Sequence, residues 1–405
     1  MNTKEILKQL TLGCANYHQD RSYRGIIAKN ARVAKCLTLT EVSENICSIS
    51  YLSKVENNIV EINRKVFRKL RERLKIPENI IEAPTEKPDL NLIMVKFINH
   101  ETIIYNEVAT DYGFFDLLKP CILLMEKKYV EFSAAIEQMV DNCMYYSEIE
   151  FNFMLALLAS YYLELGNYFD ARQVIKHQKN IPEDNISYYL YYVDFICASR
   201  LKNKRDALDI YYRQIIKLYR NNLFPLVREI DYHLILLDLK YWTEEEFKKK
   251  LSRNNWQPDE IKYLTSLRFF VNNHSSKTAL DELSANMITK KQLTIDEIIL
   301  NILILDKLGN TSLLGDYFSK IKTNNENLKK LLMYLHVKYF ANKSDLMPNL
   351  KSLFLSGDFY LQDGLLLGFI RDDVTLLCSR LHYYKESLMY YNRLVRYINH
   401  VSAAE

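Results

Sequence analysis

The feature that most constrains this chain is a pair of short helical segments between residues 37 and 58. The pattern predicts one helix over about 40–45 and a second over about 48–57, separated by a tight turn. Isolated helices shorter than roughly 12–15 residues are marginal in water. The two segments therefore need a core shared with the helices predicted over about 22–36 and 62–75. The predicted core residues are Ile27, Ala28, Ala31, Val42, Ile46, Leu52, Val55, Val66, Phe67 and Leu70.

Two short helices joined by a tight turn inside such a cluster form a helix-turn-helix, which places one helix in the major groove of DNA. The segment resembles the helix-turn-helix of the Xre/Cro/repressor class. It departs from the class at Leu39, where a DNA-contacting Gln is usual, and at Ser43, where Ala is usual. The positions that match are Gly25, Arg32, Leu37, Ser48, Leu52, Ser53, Val55 and Glu56.

Charge is distributed unevenly along the 405 residues, although the formal net charge is only +4. Residues 1–76 contain fifteen Lys and Arg against seven Asp and Glu, and this region is therefore strongly basic. A basic region favours nucleic-acid binding, because neutralisation of phosphates dominates non-specific affinity. The alternative is chance clustering of charge on a solvated face.

The candidate DNA contacts follow if the segment docks as helix-turn-helix proteins do. The start of the third predicted helix, over about 48–57, then faces the base edges. An equally weighted alternative for Ser48 is that it caps this helix. The resemblance implies that Arg32 and Glu56 pair within the fold, so both are interpreted as structural. The predicted base contacts are Ser48, Ser50, Tyr51 and Lys54, the predicted phosphate contacts are Thr38 and Thr40, and Lys35, Arg64 and Lys65 are predicted to reach the DNA backbone.

The rest of the chain is predicted to be helical almost throughout, so the predicted fold class is all-α. Nine Gly and eight Pro in 405 residues favour long helices with few turns. Three Pro within 77–88 predict a linker. This linker separates a predicted helix-turn-helix domain at 1–76 from a predicted helical domain at 89–405.

Helical hairpins recur in the predicted helical domain. The clearest covers 154–171, where Gly166 closes the first helix and Ala171 is a small contact residue on the second. Ala207 lies close to one period further on, and the motif resembles a tetratricopeptide repeat of about 34 residues. An array of this length is predicted to form a right-handed α-solenoid whose inner groove is lined by the first helix of each pair.

Polar residues that repeat on the first-helix faces are candidates for binding an extended peptide. Asn amides donate and accept hydrogen bonds at once, and Tyr rings cover apolar side chains. The alternative is that these side chains belong to the core and to a hydrated inner surface. The predicted peptide contacts are Asn152, Tyr188, Tyr192, Asp194, Asp231, Tyr232, Asn301 and Tyr334.

Sequence motifs of common catalytic sites, such as a Walker-type loop, His-Glu-x-x-His or Gly-x-Ser-x-Gly, are missing. Asp372 and Asp373 are predicted to cap a helix start rather than to act as acid and base. Seven scattered Cys without a Cys-x-x-Cys pair indicate reduced thiols, and no apolar run approaches the roughly 20 residues that span a bilayer. We therefore expect a cytoplasmic protein that is not an enzyme, has no metal or cofactor and does not bind membranes.

A helix-turn-helix followed by a long tetratricopeptide-like body resembles the RRNPP family, the peptide-responsive regulators of Gram-positive bacteria and their mobile elements (Rgg-, PlcR- and NprR-like). The resemblance implies a homodimer whose two heads bind double-stranded DNA at two half-sites. It also implies that a short signalling peptide binds the groove and alters transcription, as in quorum sensing. The alternative function is an adaptor that binds a protein partner such as a response regulator, with DNA binding secondary.

Overall fold

The computed structural model describes residues 3–15, 24–57, 59–76, 89–103, 117–143, 146–178, 182–253, 256–272, 293–342, 344–355 and 359–403. Within these ranges the regular elements are helices and no strand is present, so the predicted all-α fold class is confirmed. The predicted linker, 77–88, lies outside the described residues. The chain divides into two compact units, of which the first is Met1–Tyr161 with Asp170–Tyr191 and the second is Tyr162–Phe169 with Tyr192–Glu405.

The first unit begins with α1 (Thr3–Ala15), which packs against α8 (Tyr129–Asp141). The thiol of Cys143 also donates to the carbonyl of Gln9, over 3.8 Å. The unit contains α1 (Thr3–Ala15), α2 (Arg24–Ala34), α3 (Leu39–Ser43), α4 (Ile49–Glu56), α5 (Arg64–Leu74), α6 (Leu90–Ile98), α7 (Leu118–Met125) and α8 (Tyr129–Asp141), and it shares α9 (Glu148–Glu164), α10 (Tyr168–Ile175) and α11 (Asn185–Arg200) with the second unit.

Helices α2 to α5 enclose one small core, as the sequence predicts. Ile46 and Val66, which were predicted as core residues, lie at its margin, and Ile62 and Leu74 join it. Gly25 is required where α2 meets α4, because a Cβ atom there would collide with the carbonyl of Val55. The buried members are Ile27, Ala28, Ala31, Val42, Leu52, Val55, Ile62, Phe67, Leu70, Leu74 and Ile76.

The helices of the second unit are α12 (Lys204–Arg220), α13 (Phe224–Leu237), α14 (Glu244–Arg253), α15 (Pro258–Val271), α16 (Ile295–Leu308), α17 (Thr311–Lys320), α18 (Glu326–Phe340), α19 (Leu346–Leu355), α20 (Gly364–Arg380) and α21 (Tyr384–Ala403). Neighbouring helices pack in pairs: α12 with α13, α16 with α17, α18 with α19, and α20 with α21. Helices α16 to α21 bury one large apolar core, and α13 to α16 bury a second.

One predicted helix start is wrong. Asp372 and Asp373 lie in the middle of α20, and this helix begins eight residues earlier at Gly364. Its N-cap is Asp363, whose carboxylate accepts hydrogen bonds from the backbone N–H groups of Leu365 and Leu366. The two carboxylates are therefore available for other contacts.

The turn at Gly166 is held by side chains distant in sequence. Gly166 has φ +75°, a conformation that L side chains rarely adopt. The Asn327 amide donates to the Gly166 carbonyl over 2.7 Å, and its oxygen accepts from the Gln362 N–H over 2.8 Å. The Gln362 side chain in turn accepts from the N–H of Phe169 over 2.7 Å. The turn is therefore a fixed part of the second unit.

Gly166→Ala is expected to lower the midpoint of urea unfolding more than Gly309→Ala. Both glycines have positive φ, so Ala costs about 1 kcal/mol of backbone strain at either position. At Gly166 the new Cβ would also displace the amides of Asn325 and Asn327, which adds ~1–3 kcal/mol, whereas Gly309 has open space. Urea unfolding of both variants is measured by circular dichroism. Equal decreases of the unfolding midpoint would contradict the proposed clash at Gly166.

Candidate DNA-binding surface and ligand groove

An ion pair between the partly buried Arg32 and the buried Glu56 joins α2 to α4. Arg32 Nε and Nη2 donate to the two carboxylate oxygens of Glu56 over 2.8 and 2.7 Å, and Arg32 Nη1 donates to the carbonyl of Leu37 over 2.8 Å. The hydrogen bond with Glu56 raises the pKa of Arg32. The predicted structural pairing of Arg32 and Glu56 is confirmed.

Three of the predicted DNA contacts use their polar groups inside this cluster. The Thr38 hydroxyl donates to the Glu41 carboxylate over 2.8 Å, and hydrogen bonds from the Thr38 backbone and side chain lower the pKa of Glu41. The Ser48 hydroxyl accepts from the N–H of Tyr51 over 3.1 Å, so Ser48 caps α4. The Tyr51 hydroxyl accepts from the N–H of Asn63 over 3.0 Å. These side chains fix the starts of α3, α4 and α5.

The other predicted DNA contacts are exposed on the same cluster. Within the described residues, the side chains of these contacts form no hydrogen bond or ion pair, so each is available to a ligand. They lie on α3, α4, α5 and the turn after α2. These residues are Lys35, Thr40, Ser50, Lys54, Arg64 and Lys65.

One fixing contact was missed by sequence reasoning. Arg73 on α5 donates to the carbonyls of Glu41 and Glu44 over 3.1 and 2.6 Å, and so holds α5 against the end of α3. In the sequence Arg73 is one of many basic residues on α5, and no local signal separates it from those that face solvent.

The second unit contains a groove of about 890 Å³. Its walls come from α15, α16, α18 and α20, with Lys202 and Lys240 from two inter-helix turns. The wall combines an apolar surface with an excess of basic over acidic side chains. The apolar residues are Phe270, Val271, Leu303, Leu308, Leu365, Phe369, Leu376 and Leu377, and the charged ones are Lys202, Lys240, Asp306, Lys307, Lys338, Arg371, Asp372, Asp373 and Arg380.

A charge network lies in the wall of this groove. Lys338 Nζ donates to Asp306 over 2.7 Å and to Asp373 over 2.8 Å, and the Tyr334 hydroxyl donates to Asp373 over 2.6 Å. Burial raises the pKa of Asp306. Burial alone would lower the pKa of Lys338, but the two carboxylates raise it above its ordinary value. The single cation of this network is paired with two carboxylates, so the network fixes the wall and offers no free positive charge to a ligand.

Three cations of the groove have no ion-pair partner among the described residues: Lys202, Lys240 and Arg380. Burial lowers the pKa of Lys202. By contrast, Arg371 is paired with Asp372 over 2.8 Å. The uncompensated charge of the groove is therefore positive and suits an anionic ligand.

None of the predicted peptide contacts lines this groove. Asn152 and Tyr188 are buried in the first unit, and Asn301 and Tyr334 are buried in the second, so we assign these four to the interior. Helical periodicity identifies a recurring face but does not tell whether that face meets a neighbouring helix or a groove. The remaining four are half-buried in the second unit: Tyr192, Asp194, Asp231 and Tyr232.

A smaller cavity of about 60 Å³ shares part of its lining with the groove. Arg200 forms an ion pair there with Asp296, and its Nη1 lies 3.6 Å from Asp363 Oδ2. His233 is buried beside them, its Nδ1 has no hydrogen-bond partner, and burial lowers its pKa well below the ordinary value. His233 is therefore neutral at physiological pH.

No model of a known protein family matches the sequence, and no curated protein or solved structure matches it significantly. In the part of the chain that the structure describes, no three His, Cys, Asp or Glu side chains group so as to hold a metal ion. No described helix has both the length and the apolar character needed to cross a membrane.

Glu56→Ala is expected to destabilise the cluster of α2 to α5 by about 3 kcal/mol, because it leaves Arg32 partly buried without its partner. The control is Glu72→Ala, which removes an exposed carboxylate from α5. Hydrogen exchange of peptides from residues 24–76, followed by mass spectrometry, measures the local opening free energy. Unchanged protection in the Glu56 variant would refute the structural role of the pair.

Proposed function

We propose that this protein is a sequence-specific DNA-binding transcriptional regulator whose activity is switched by a short signalling peptide. The observation that carries the proposal is the pairing of α3 and α4 in one core, with unengaged polar and basic side chains on its surface. This pairing suits a helix-turn-helix that presents α4 to the major groove. The protein is then a cytoplasmic regulator rather than an enzyme.

The accessible side chains divide the DNA contacts into two kinds. Ser50 and Lys54 lie on the exposed face of α4, where they can reach base edges. Lys35, Arg64 and Lys65 are exposed cations suited to phosphates, which position a protein without reading sequence. Two copies bound to two half-sites would double these contacts.

The groove of the second unit is the proposed peptide site. Its volume of about 890 Å³ falls within the range of roughly 300–1,000 Å³ found for ligand pockets. Its apolar wall can cover aliphatic or aromatic side chains of an extended peptide. Its unpaired Lys202, Lys240 and Arg380 favour a peptide with acidic side chains or a free carboxyl terminus.

Peptide binding can switch DNA binding only if the peptide has different affinities for the DNA-competent and DNA-incompetent forms. The coupling is reciprocal, so operator DNA must change the affinity for the peptide by the same factor. This reciprocity separates a peptide-switched regulator from a protein that binds the two ligands independently. The architecture expected from the sequence, which resembles the RRNPP family, accords with such coupling.

A second candidate function, the adaptor, is favoured by an exposed apolar stripe on α12. Tyr212, Ile216 and Tyr219 are 71%, 59% and 48% exposed and follow one another at helical spacing. Such a stripe is typical of a surface that packs against another helix. Under this function a protein partner, rather than a peptide, would alter DNA binding.

Arg64→Ala is expected to weaken binding to all duplexes alike and to reduce the slope of log affinity against log salt by about 1, because one phosphate contact is lost. The measurement is fluorescence anisotropy with a duplex recovered from a random library by the wild-type protein. Lys249→Ala on α14 is the matched control, since it removes an exposed cation of the second unit. Salt-insensitive binding by the wild type would overturn the proposal.

The double variant Lys240→Glu and Arg380→Glu is expected to lose affinity for anionic peptides by at least about tenfold, since two attractive contacts become repulsive. The probe is a pool of short synthetic peptides of random sequence with free carboxyl termini, measured by calorimetry after enrichment on the wild type. Lys262→Glu, an exposed position of α15 outside the groove lining, is the control. Equal affinity in both variants would remove the groove from the proposal.

Ile216→Glu separates the two candidate functions. A peptide-switched regulator should keep its peptide response in a gel-shift assay, because Ile216 lies outside the groove lining. An adaptor should lose its response to a partner protein, because a charge would enter the apolar contact.

A further inference from the structure

The first residue of α4 is an exposed isoleucine, which lies between the N-cap Ser48 and the exposed Ser50. Ile49 follows the N-cap Ser48, and its side chain is 47% exposed. It is the large apolar residue of α4 that faces solvent, whereas Leu52 and Val55 are buried in the core. An apolar side chain at this position adds nothing to the core of the cluster.

The polar neighbours of Ile49 leave few side chains to read bases at this end of the helix. The Ser48 hydroxyl already accepts from the N–H of Tyr51, and the Tyr51 hydroxyl accepts from the N–H of Asn63. Ser50 and Lys54 are free on the described surface. The first turn therefore offers one apolar group beside one hydroxyl.

The major groove has one apolar feature that distinguishes bases, which is the 5-methyl group of thymine. In a docked helix-turn-helix the N-terminal residues of the motif's second helix, which is α4 in this protein, contact the base edges. We propose that Ile49 reads a thymine methyl group and so determines the specificity of each half-site. This inference rests on the proposed DNA-binding function and adds a residue to the predicted set of base contacts.

The test uses duplexes selected by the wild-type protein from a random library, with single thymines replaced by uracil. Uracil lacks only the methyl group, so the substitution removes the contact without changing the hydrogen bonds. The wild type should lose affinity about fourfold at one thymine of each half-site, which corresponds to one buried methyl group. Ile49→Ala should bind the thymine and uracil duplexes equally.

Ile59→Ala is the matched control, because Ile59 is 56% exposed but lies after the end of α4. It should keep the fourfold preference for thymine. A uracil effect that persists in Ile49→Ala, or that disappears in Ile59→Ala, would overturn the assignment to Ile49. Circular dichroism should show equal helix content in all variants, since both positions are outside the core.

The two proposals fail in different ways. Wild-type protein that recovers no duplex from the library refutes the proposed DNA-binding function. Wild-type protein that binds a selected duplex but tolerates uracil at every thymine refutes only the role of Ile49.

Discussion

The structure of the candidate DNA-binding surface depends on the ion pair between Arg32 and Glu56. Helices α3 and α4 have five and eight residues, which is too short for either to persist alone. Arg32 holds them from α2, because one guanidinium bonds the Glu56 carboxylate on α4 and the Leu37 carbonyl before α3. A planar, permanently charged fork suits this task, since it makes several bonds at fixed angles. The orientation of the exposed residues of α4 follows from these bonds.

Local signals predict local structure well in this chain. Ser48 caps α4 and Gly166 ends a helix with positive φ, because each of these features involves residues only a few positions apart. Thr38, interpreted from the sequence as a phosphate contact, caps α3. The starts of α14 and α15 show similar short-range capping, since Thr243 donates to Glu246 and the Gln257 N–H donates to Glu260. The all-α class follows from the scarcity of turn residues.

The groove could not be predicted in the same way. Lys338 meets Asp306 and Asp373, which lie 32 and 35 positions away, so nothing local marks them as partners. Tyr334 lies at a position predicted to face the groove, but its side chain is buried. Its hydroxyl donates to Asp373 and is not available to a ligand. Helical periodicity predicts which residues share one face of a helix. It does not predict what that face contacts, because the contacts are made by residues distant in sequence. Lys240 and Arg380 are distant in sequence, and only the fold places both in the lining of the groove as candidate ligand contacts.

The hydrogen bonds around Gly166 have a consequence for synthesis of the protein. The partners of this turn, Asn327 and Gln362, are 161 and 196 positions later in the chain, so the ribosome adds them long after the turn itself. At roughly 5–20 residues per second, the delay is on the order of ten seconds or more. During that time the turn at Gly166 lacks the side chains that hold it in the folded protein. The hydrogen bonds that hold this turn can therefore form only after most of the chain has been translated.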